Sequence, residues 1–328
     1  MKARNPLFAY VLMFGVIAAL PALGAYPIFV MKVLCFALFA CAFNLLIGFT
    51  GLLSFGHAAF LGAAGYACGH ALKVWGFPPL LGLLFGAGCA ALLGLLFGLL
   101  AIRRSGIYFA MITLALAQMV YFFFLQAPFT GGEDGLQQVP RGQLLGLELH
   151  DDLQLYYLVL ALFIAAFALI RRTVHSPFGQ VLTSIRENEA RAVSLGYDVD
   201  RFKLLAFVLS AGLAGLAGAT KTLVLGFATL TDALWTTSGA VILMTLVGGM
   251  GTMTGPMVGA LVIVALENKV GELGNMLAGL TGLQWFQGLG ESVSLVTGLI
   301  FIVCVLAFRK GLVGEALALQ ERFRRPAQ

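Results

Sequence analysis

Residues 78–125 read PPLLGLLFGAGCAALLGLLFGLLAIRRSGIYFAMITLALAQMVYFFFL. Two apolar runs, 78–101 and 106–125, are parted by a short link that carries Arg103 and Arg104. As a helix, each run is long enough to cross a hydrocarbon layer of ~30 Å, which takes ~20 apolar residues. The same pattern extends outward on both sides. Apolar runs fall at 7–24, 28–49 and 53–72 before this stretch, and at 153–170, 204–225, 236–250, 255–268 and 292–308 after it.

Composition agrees. Of 328 residues, 60% are apolar and 11% charged, where a soluble domain carries roughly 25% charge. The expected fold is an all-α, polytopic transmembrane bundle, one domain over 1–328. The first 24 residues resemble a signal peptide, but a second apolar run follows at once, so they read as an uncleaved first span. The link after the fourth run (Arg103, Arg104) and the stretch 171–203 (Arg171, Arg172, Arg186, Arg191, Arg201, Lys203) hold eight of the 20 Lys and Arg residues. The positive-inside rule assigns their side, and with it the N-terminus, to the cytoplasm. The loop 126–152 is poor in Lys and Arg and rich in turn residues (Gly131, Gly132, Pro140), as expected on the opposite side. The net charge of +5 reflects this distribution and gives no reason to expect nucleic acid as a partner.

Parity decides the hardest segment. The tail 309–328 holds Arg309, Lys310, Arg322, Arg324 and Arg325, so it belongs with the N-terminus and the number of crossings must be even. Two short helices, broken around Gly248, Gly249, Met250, Gly251, Thr252, Gly255 and Pro256, satisfy that requirement. A 15-residue helix rises only ~22 Å, which suits a discontinuous or re-entrant element. Irregular backbone at membrane depth survives only where protein or a water-filled cavity covers it. A similar interruption runs from Gly48 to Gly56, and paired broken segments of this kind resemble the internal repeats of transporters. Ser54, Gly56 and His57 in the first break, with Gly248, Gly249, Gly251, Thr252, Gly255 and Pro256 in the second, are therefore the expected translocation path. There, helix N-termini and glycine-exposed backbone can meet a zwitterion's charged ends. For His57, a hydrogen bond serving helix packing competes with a place on the path.

The remaining chemistry is sparse. Among 41 glycines, the pairs Gly65/Gly69, Gly82/Gly86, Gly94/Gly98, Gly215/Ala219 and Gly255/Gly259 have the small-xxx-small spacing that lets helix backbones approach in lipid. Asn44, Ser54, Thr113, Gln118, Ser210, Thr220, Ser238 and Thr245 read first as interhelical hydrogen-bonders. Cys35, Cys41, Cys68, Cys89 and Cys304 sit singly in apolar runs as small packing residues, and His57, His70, His150 and His175 are too scattered for a metal. Lys32, Lys73, Lys221 and Glu267 fall near run ends, where lysines snorkel. Lys221 and Asp232 bracket a polar link. No carboxylate stands clearly at a midplane, which argues against a proton-driven carrier. A membrane-embedded enzyme would need converging His, Asp or Glu side chains, and no cofactor is expected.

The most unusual segment is 176–196, SPFGQVLTSIRENEARAVSLG. Ser176 with Pro177 opens a helix and Gly196 closes one. Val181, Leu182, Ile185, Ala192, Val193 and Leu195 give it an apolar face. Arg186, Glu187, Glu189 and Arg191 give it a charged one, with Glu187 and Arg191 in the favourable i,i+4 order. An amphipathic surface helix and a helix that docks into another protein both fit this pattern.

That run, followed by Arg201-Phe202-Lys203 and Ser210-Ala211-Gly212-Leu213-Ala214-Gly215, resembles the LivM-type permease subunits of bacterial branched-chain amino-acid ABC importers. Gly51-Leu52-Leu53-Ser54-Phe55-Gly56-His57 and Gly248-Gly249-Met250-Gly251-Thr252 with Gly255-Pro256 resemble them too. The likeness covers about 28–308. It implies that Glu189, Ala190, Arg191 and the residues to Gly196, with Arg186 and Glu187 before them, form the coupling helix that docks on an ATPase. Arg191 stands where the loop's usual second alanine would be. The resemblance further implies a second, LivH-like permease, two cytoplasmic ATP-binding subunits, a periplasmic substrate-binding protein and an inner-membrane location. The cargo would be leucine, isoleucine or valine, with urea, short amides and aromatic acids as alternatives in related permeases. No P-loop of the form GxxxxGK[ST] occurs in these residues, so ATP hydrolysis is expected on the partners. A self-contained secondary transporter or channel is the rival that would dispense with them.

Overall fold

In a computed structural model, the structure describes residues 6–144, 147–149, 151–281, 298–299, 302 and 311–315. They form eleven α-helices: α1 (Pro6–Ala19), α2 (Pro27–Ile47), α3 (His57–Lys73), α4 (Pro79–Ala101), α5 (Ile107–Gln126), α6 (Asp152–Val174), α7 (Pro177–Glu187), α8 (Glu189–Ser194), α9 (Val199–Leu225), α10 (Trp235–Gly248) and α11 (Gly255–Thr281). Two two-residue strands, β1 (Gln143–Leu144) and β2 (Leu147–Glu148), pair as a small hairpin in the loop before α6. Five helices, α2, α4, α5, α6 and α9, are long and apolar enough to cross a membrane. The chain is a multi-pass, helical membrane protein.

Helix boundaries follow local chemistry. Pro27 and Pro79 occupy first helical turns, where a missing N–H costs nothing. The carboxylates of Asp151 and Asp198 cap α6 and α9 by accepting from Leu153 N–H and Arg201 N–H. Gly226 in the left-handed region ends α9.

The bundle is organised around α9, which lies against α2, α3 and α4. Small residues set that contact, as their spacing implied. A Cβ on Gly94 would stand 2.4 Å from the Ala211 Cβ, one on Gly215 2.2 Å from the Ala90 Cβ, and one on Gly218 2.0 Å from the Leu61 carbonyl oxygen. Gly98 meets Leu204 and Gly86 meets Ala219, so α4 and α9 run antiparallel. Outward faces of α4 and α5 remain apolar, with Leu84, Leu92, Leu96, Ile107, Met111 and Phe122 exposed, which suits lipid. Cys35, Cys41 and Cys68 are buried free thiols.

The structure corrects several expectations. The helix beginning at Gly255 runs on to Thr281 instead of stopping at 268, so it is no short element, and it takes in the first part of 273–289, where a further short or re-entrant helix with Trp285 as interfacial anchor was expected. Glu267 therefore sits inside α11 and not at its end. The run expected over 53–72 starts at His57, because Gly51 to Gly56 stay irregular. Most of the 292–308 run, Trp285, Cys304, His150 and the tail apart from 311–315 lie outside the described residues.

Candidate functional site

Segment 176–196 folds as two helices. Ser176 Oγ accepts from Gly179 N–H and Pro177 opens α7, while Gly196, at a φ of +87°, closes α8. Between them Asn188 is extended, with φ −157° and ψ 96°, and its side chain accepts from Arg191 N–H to cap α8. One continuous helix was the expectation. Asn188 overrides it because a carboxamide that satisfies a first-turn N–H favours a new start over continued winding. The kink separates Glu187 from Arg191, and no ion pair joins them among the described residues.

Val181, Ile185, Ala192, Val199 and Phe202 form a small core of their own beneath these helices, and Phe178 stacks on Phe202 at 5.5 Å. Glu189 is paired with Lys203 at 2.7 Å, the lysine being almost fully buried. Val193 and Leu195, expected on one apolar face with Val181, Leu182 and Ile185, are parted from them and point outward: they are 57% and 69% exposed, and Tyr197 beside them is 41% exposed. Glu187, Ala190, Arg191 and Gly196 are exposed as well.

Arg186 is exposed too, but its guanidinium reaches back to the bundle. Its guanidinium donates to the Gly48 carbonyl, and it lies against Gly51 and Gly251. Gly251 N–H donates to Asn44 Oδ1 at 2.9 Å, and Asn44 Nδ2 donates to the Thr252 carbonyl at 2.9 Å. A Cβ on Gly48 would lie 2.8 Å from Gly251 N. Thus the two breaks, 200 residues apart in sequence, meet at one point, and α7 reaches into it. Gly51 and Gly251 both have φ near +78°, a conformation glycine adopts without strain. Thr252 Oγ1 donates to the Gly249 carbonyl at 2.7 Å and accepts from Gly255 N–H at 3.0 Å, closing the turn into α11, where Pro256 is buried in the first turn. Gly311 is packed against Gly249.

Past Gly51 the first break rises into the bundle. Gly56 N–H donates to Ser54 Oγ at 3.1 Å, and Phe55 N–H to Thr113 Oγ1 on α5 at 3.2 Å. Ala58 N–H, in the first turn of α3, donates to Ser238 Oγ on α10 at 2.9 Å. His57 is fully buried, with Phe43 and Phe60 edge-on at 5.0 and 5.4 Å. Its Nε2 is 2.9 Å from Ser210 Oγ, which itself donates to the Ala42 carbonyl at 2.6 Å. Since the serine proton is committed there, Nε2–H is the donor, and Nδ1 is left as a buried acceptor with no hydrogen-bond partner among the described residues. His57 thus ties α3 to α9 and α2, the packing role weighed from sequence.

At the far end of α9, the residues that bracket the polar link meet, a pairing the sequence reading did not draw. Lys221, expected to snorkel, forms a buried ion pair with Asp232. The two are eleven residues apart across Gly226, a spacing that a turn brings together. The loop 127–151 closes the same end: Leu136 bridges Ala228, and Arg141 pairs with Asp152 at 2.7 Å.

The model of the family described as branched-chain amino acid transport system, permease component, matches residues 26–307. The high-affinity branched-chain amino acid transport system permease proteins LivM of Escherichia coli (strain K12) and of Salmonella typhimurium (strain LT2) are each 26% identical over 234 residues. The match covers 62% of this chain and 54% of theirs, so the chain spans about half the length of these curated relatives. No solved structure matches it.

Proposed function

We infer that this chain, which belongs to the family of permease components of branched-chain amino acid transport systems, is the membrane half of an ATP-driven importer for leucine, isoleucine or valine. In this reading it pairs with a second, LivH-like permease in the bacterial inner membrane. Two ATP-binding subunits sit beneath the pair, and a periplasmic binding protein delivers the cargo from above. Arg103, Arg104, Arg171, Arg172 and Arg201 gather at the end of the bundle where Arg186 lies, which favours that end, and both termini with it, as cytoplasmic. The names of the relatives support the choice of cargo.

One observation carries the coupling role. The α7–α8 unit faces two ways: Arg191, Val193 and the following Leu195 and Tyr197 point outward, while the guanidinium of Arg186, itself an exposed residue, reaches the joint of both backbone breaks. An ATPase that binds the outward face differently in its ATP-bound and ATP-free states shifts the equilibrium between outward-open and inward-open bundles. The unit itself is held rigid by its own small core and by the Glu189–Lys203 pair, so a push on it is delivered to Gly48 and Gly251.

The test is copurification from membranes. Leu195→Asp places a charge where an apolar side chain contributes about 1.5–3 kcal/mol on burial. The ATP-binding subunits should fall about tenfold or more in yield, while the chain still inserts and keeps its partner permease. Undiminished recovery of those subunits with both Val193→Asp and Leu195→Asp would remove this face as the docking site.

A further inference from the structure

We propose that Lys221 and Asp232, with Tyr66, form a recognition site for the charged head of a zwitterionic α-amino acid, at the end of the bundle opposite Arg186. The proposal deepens the importer reading and rests on it.

Five elements converge here: α9 brings Lys221, the turn before α10 brings Asp232, α3 brings Tyr66, α2 brings Lys32 and Phe36, and α11 brings Glu267. Lys221 and Asp232 are in contact and nearly closed off from outside. The Lys221 ammonium also stands 5.7 Å from the Phe36 ring. The α3 turn that carries Tyr66 lies against the Asp232 turn and α9, Gly62 meeting Ala233 and Gly65 meeting Thr222 and Ala228; Asp232 and Tyr121 both act electrostatically on Tyr66, and Lys32 and Lys221 on Glu267. The Tyr66 hydroxyl is buried, with no hydrogen-bond partner among the described residues. A buried hydroxyl left without a partner is destabilising, so it calls for a group that arrives from elsewhere.

The charges explain which group. Lys32 and Lys221 against Asp232 and Glu267 sum to zero. A buried ion pair is weak evidence for stability, since apolar residues of similar size usually hold helices at least as well. It is, however, well matched to exchange. An incoming ammonium replaces Lys221 at the Asp232 carboxylate, and the incoming carboxylate takes Lys221, with the Tyr66 hydroxyl donating to it. Each charge keeps an opposite partner and no net charge is buried. A solute lacking one of its two charges leaves Lys221 or Asp232 unmatched, at high cost in this setting.

Position supports a role in transport. Along α9, Lys221 stands about 27 Å from Lys203, with Ser210 between them about 10 Å from that lysine. The polar groups facing the α2–α9 seam therefore form a column: Lys221 with Asp232, then His57 with Ser210, then Asn44 with Gly251 and Arg186. The apolar cavity of about 580 Å³ beside Ile17, Val30, Leu34 and Met257 lies off this column, and those four residues offer a zwitterion no polar side chain.

The decisive variant is Tyr66→Phe, tested in the complete importer reconstituted in proteoliposomes with its binding protein and leucine. A hydroxyl that only packs, with no partner, is dispensable, so a structural role predicts unchanged leucine uptake. The recognition role predicts uptake slowed about tenfold at equal assembly, the worth of one hydrogen bond to a charged group. The double change Lys221→Met with Asp232→Leu should likewise assemble and lose at least as much. Leucine uptake by Tyr66→Phe within twofold of the unaltered importer overturns the proposal, as does a fully active double variant. An unaltered importer that carries urea or an amide and no amino acid overturns the importer reading along with it.

Discussion

In the proposed importer, replacing Arg186 with alanine is expected to cut leucine uptake per ATP hydrolysed about 10–100-fold, while the assembled complex still forms. The guanidinium is the described side chain of α7–α8 that enters the joint of the two backbone breaks. A hydrogen bond from a charged donor is worth about 1.5–3 kcal/mol, and a coupling free energy of that size corresponds to roughly a 10–150-fold bias between two states. Without it, the docking helices can still follow the ATPase, but Gly48 and Gly251 no longer follow the helices. ATP hydrolysis then continues with little transport. Lysine in its place keeps the charge but not the planar fork, and should recover only part of the coupling. Glu189 provides the contrast. Its reversal breaks the internal pair with buried Lys203, so it should loosen the whole unit and weaken ATPase binding too, whereas reversal at exposed Arg191 should act on docking alone. Uptake and hydrolysis are measured together in proteoliposomes, and tightly coupled Arg186→Ala would refute the linkage.

Arg186 was expected on the charged face of the coupling helix, and its contacts with Gly48 and Gly251 were beyond a local reading. Local signals were legible where they were read: Ser176-Pro177 and Gly196 marked the segment's ends, whereas the caps at Asp151, Asp198 and Gly226, equally local, were not singled out. The helical membrane fold followed from the apolar runs. Asn188 was also legible in principle, since Asn before Glu at a charged stretch is an N-cap signature, yet the i,i+4 spacing of Glu187 and Arg191 argued for continuity. Partners hundreds of residues away were not. Asn44 and Gly251 are 207 positions apart, His57 and Ser210 153, and nothing local to either residue names the other. The end of α11 was misplaced for a related reason. Glu267, Asn268 and Lys269 break the apolar run, but Glu267 interacts with Lys32 and Lys221 inside the bundle. Hydropathy stops at a charge, whereas a helix continues where the charge finds company.

Single alanines should separate the glycines that hold the bundle together from those that do not. Gly86 and Gly88 are two residues apart on α4. A Cβ on Gly86 would meet the Ala64 carbonyl oxygen at 2.7 Å and the Ala219 Cβ at 3.1 Å, whereas one on Gly88 meets nothing within 4 Å. Gly218→Ala is harsher, with the Leu61 carbonyl at 2.0 Å, and Gly259→Ala harsher still, with the Met244 carbonyl at 1.7 Å. In each case the obstacle is backbone, which cannot rotate aside as a side-chain tip can. Whole helices must separate, so the cost should reach or exceed the upper end of the ~1–3 kcal/mol typical of overpacked cores. Gly88→Ala should be neutral or add up to about 1 kcal/mol through helix propensity. Melting of the purified complex in detergent should place Gly259→Ala and Gly218→Ala lowest, Gly86→Ala between, and Gly88→Ala at or above the unaltered protein. The same contacts have a mechanical consequence. Because α10 and α11 touch backbone to backbone at Gly248, Gly255 and Gly259, they have little freedom to slide, and a displacement of Gly251 by Arg186 must carry both together. If Gly259→Ala melted with Gly88→Ala, that rigid pair, and the path of force through it, would be lost.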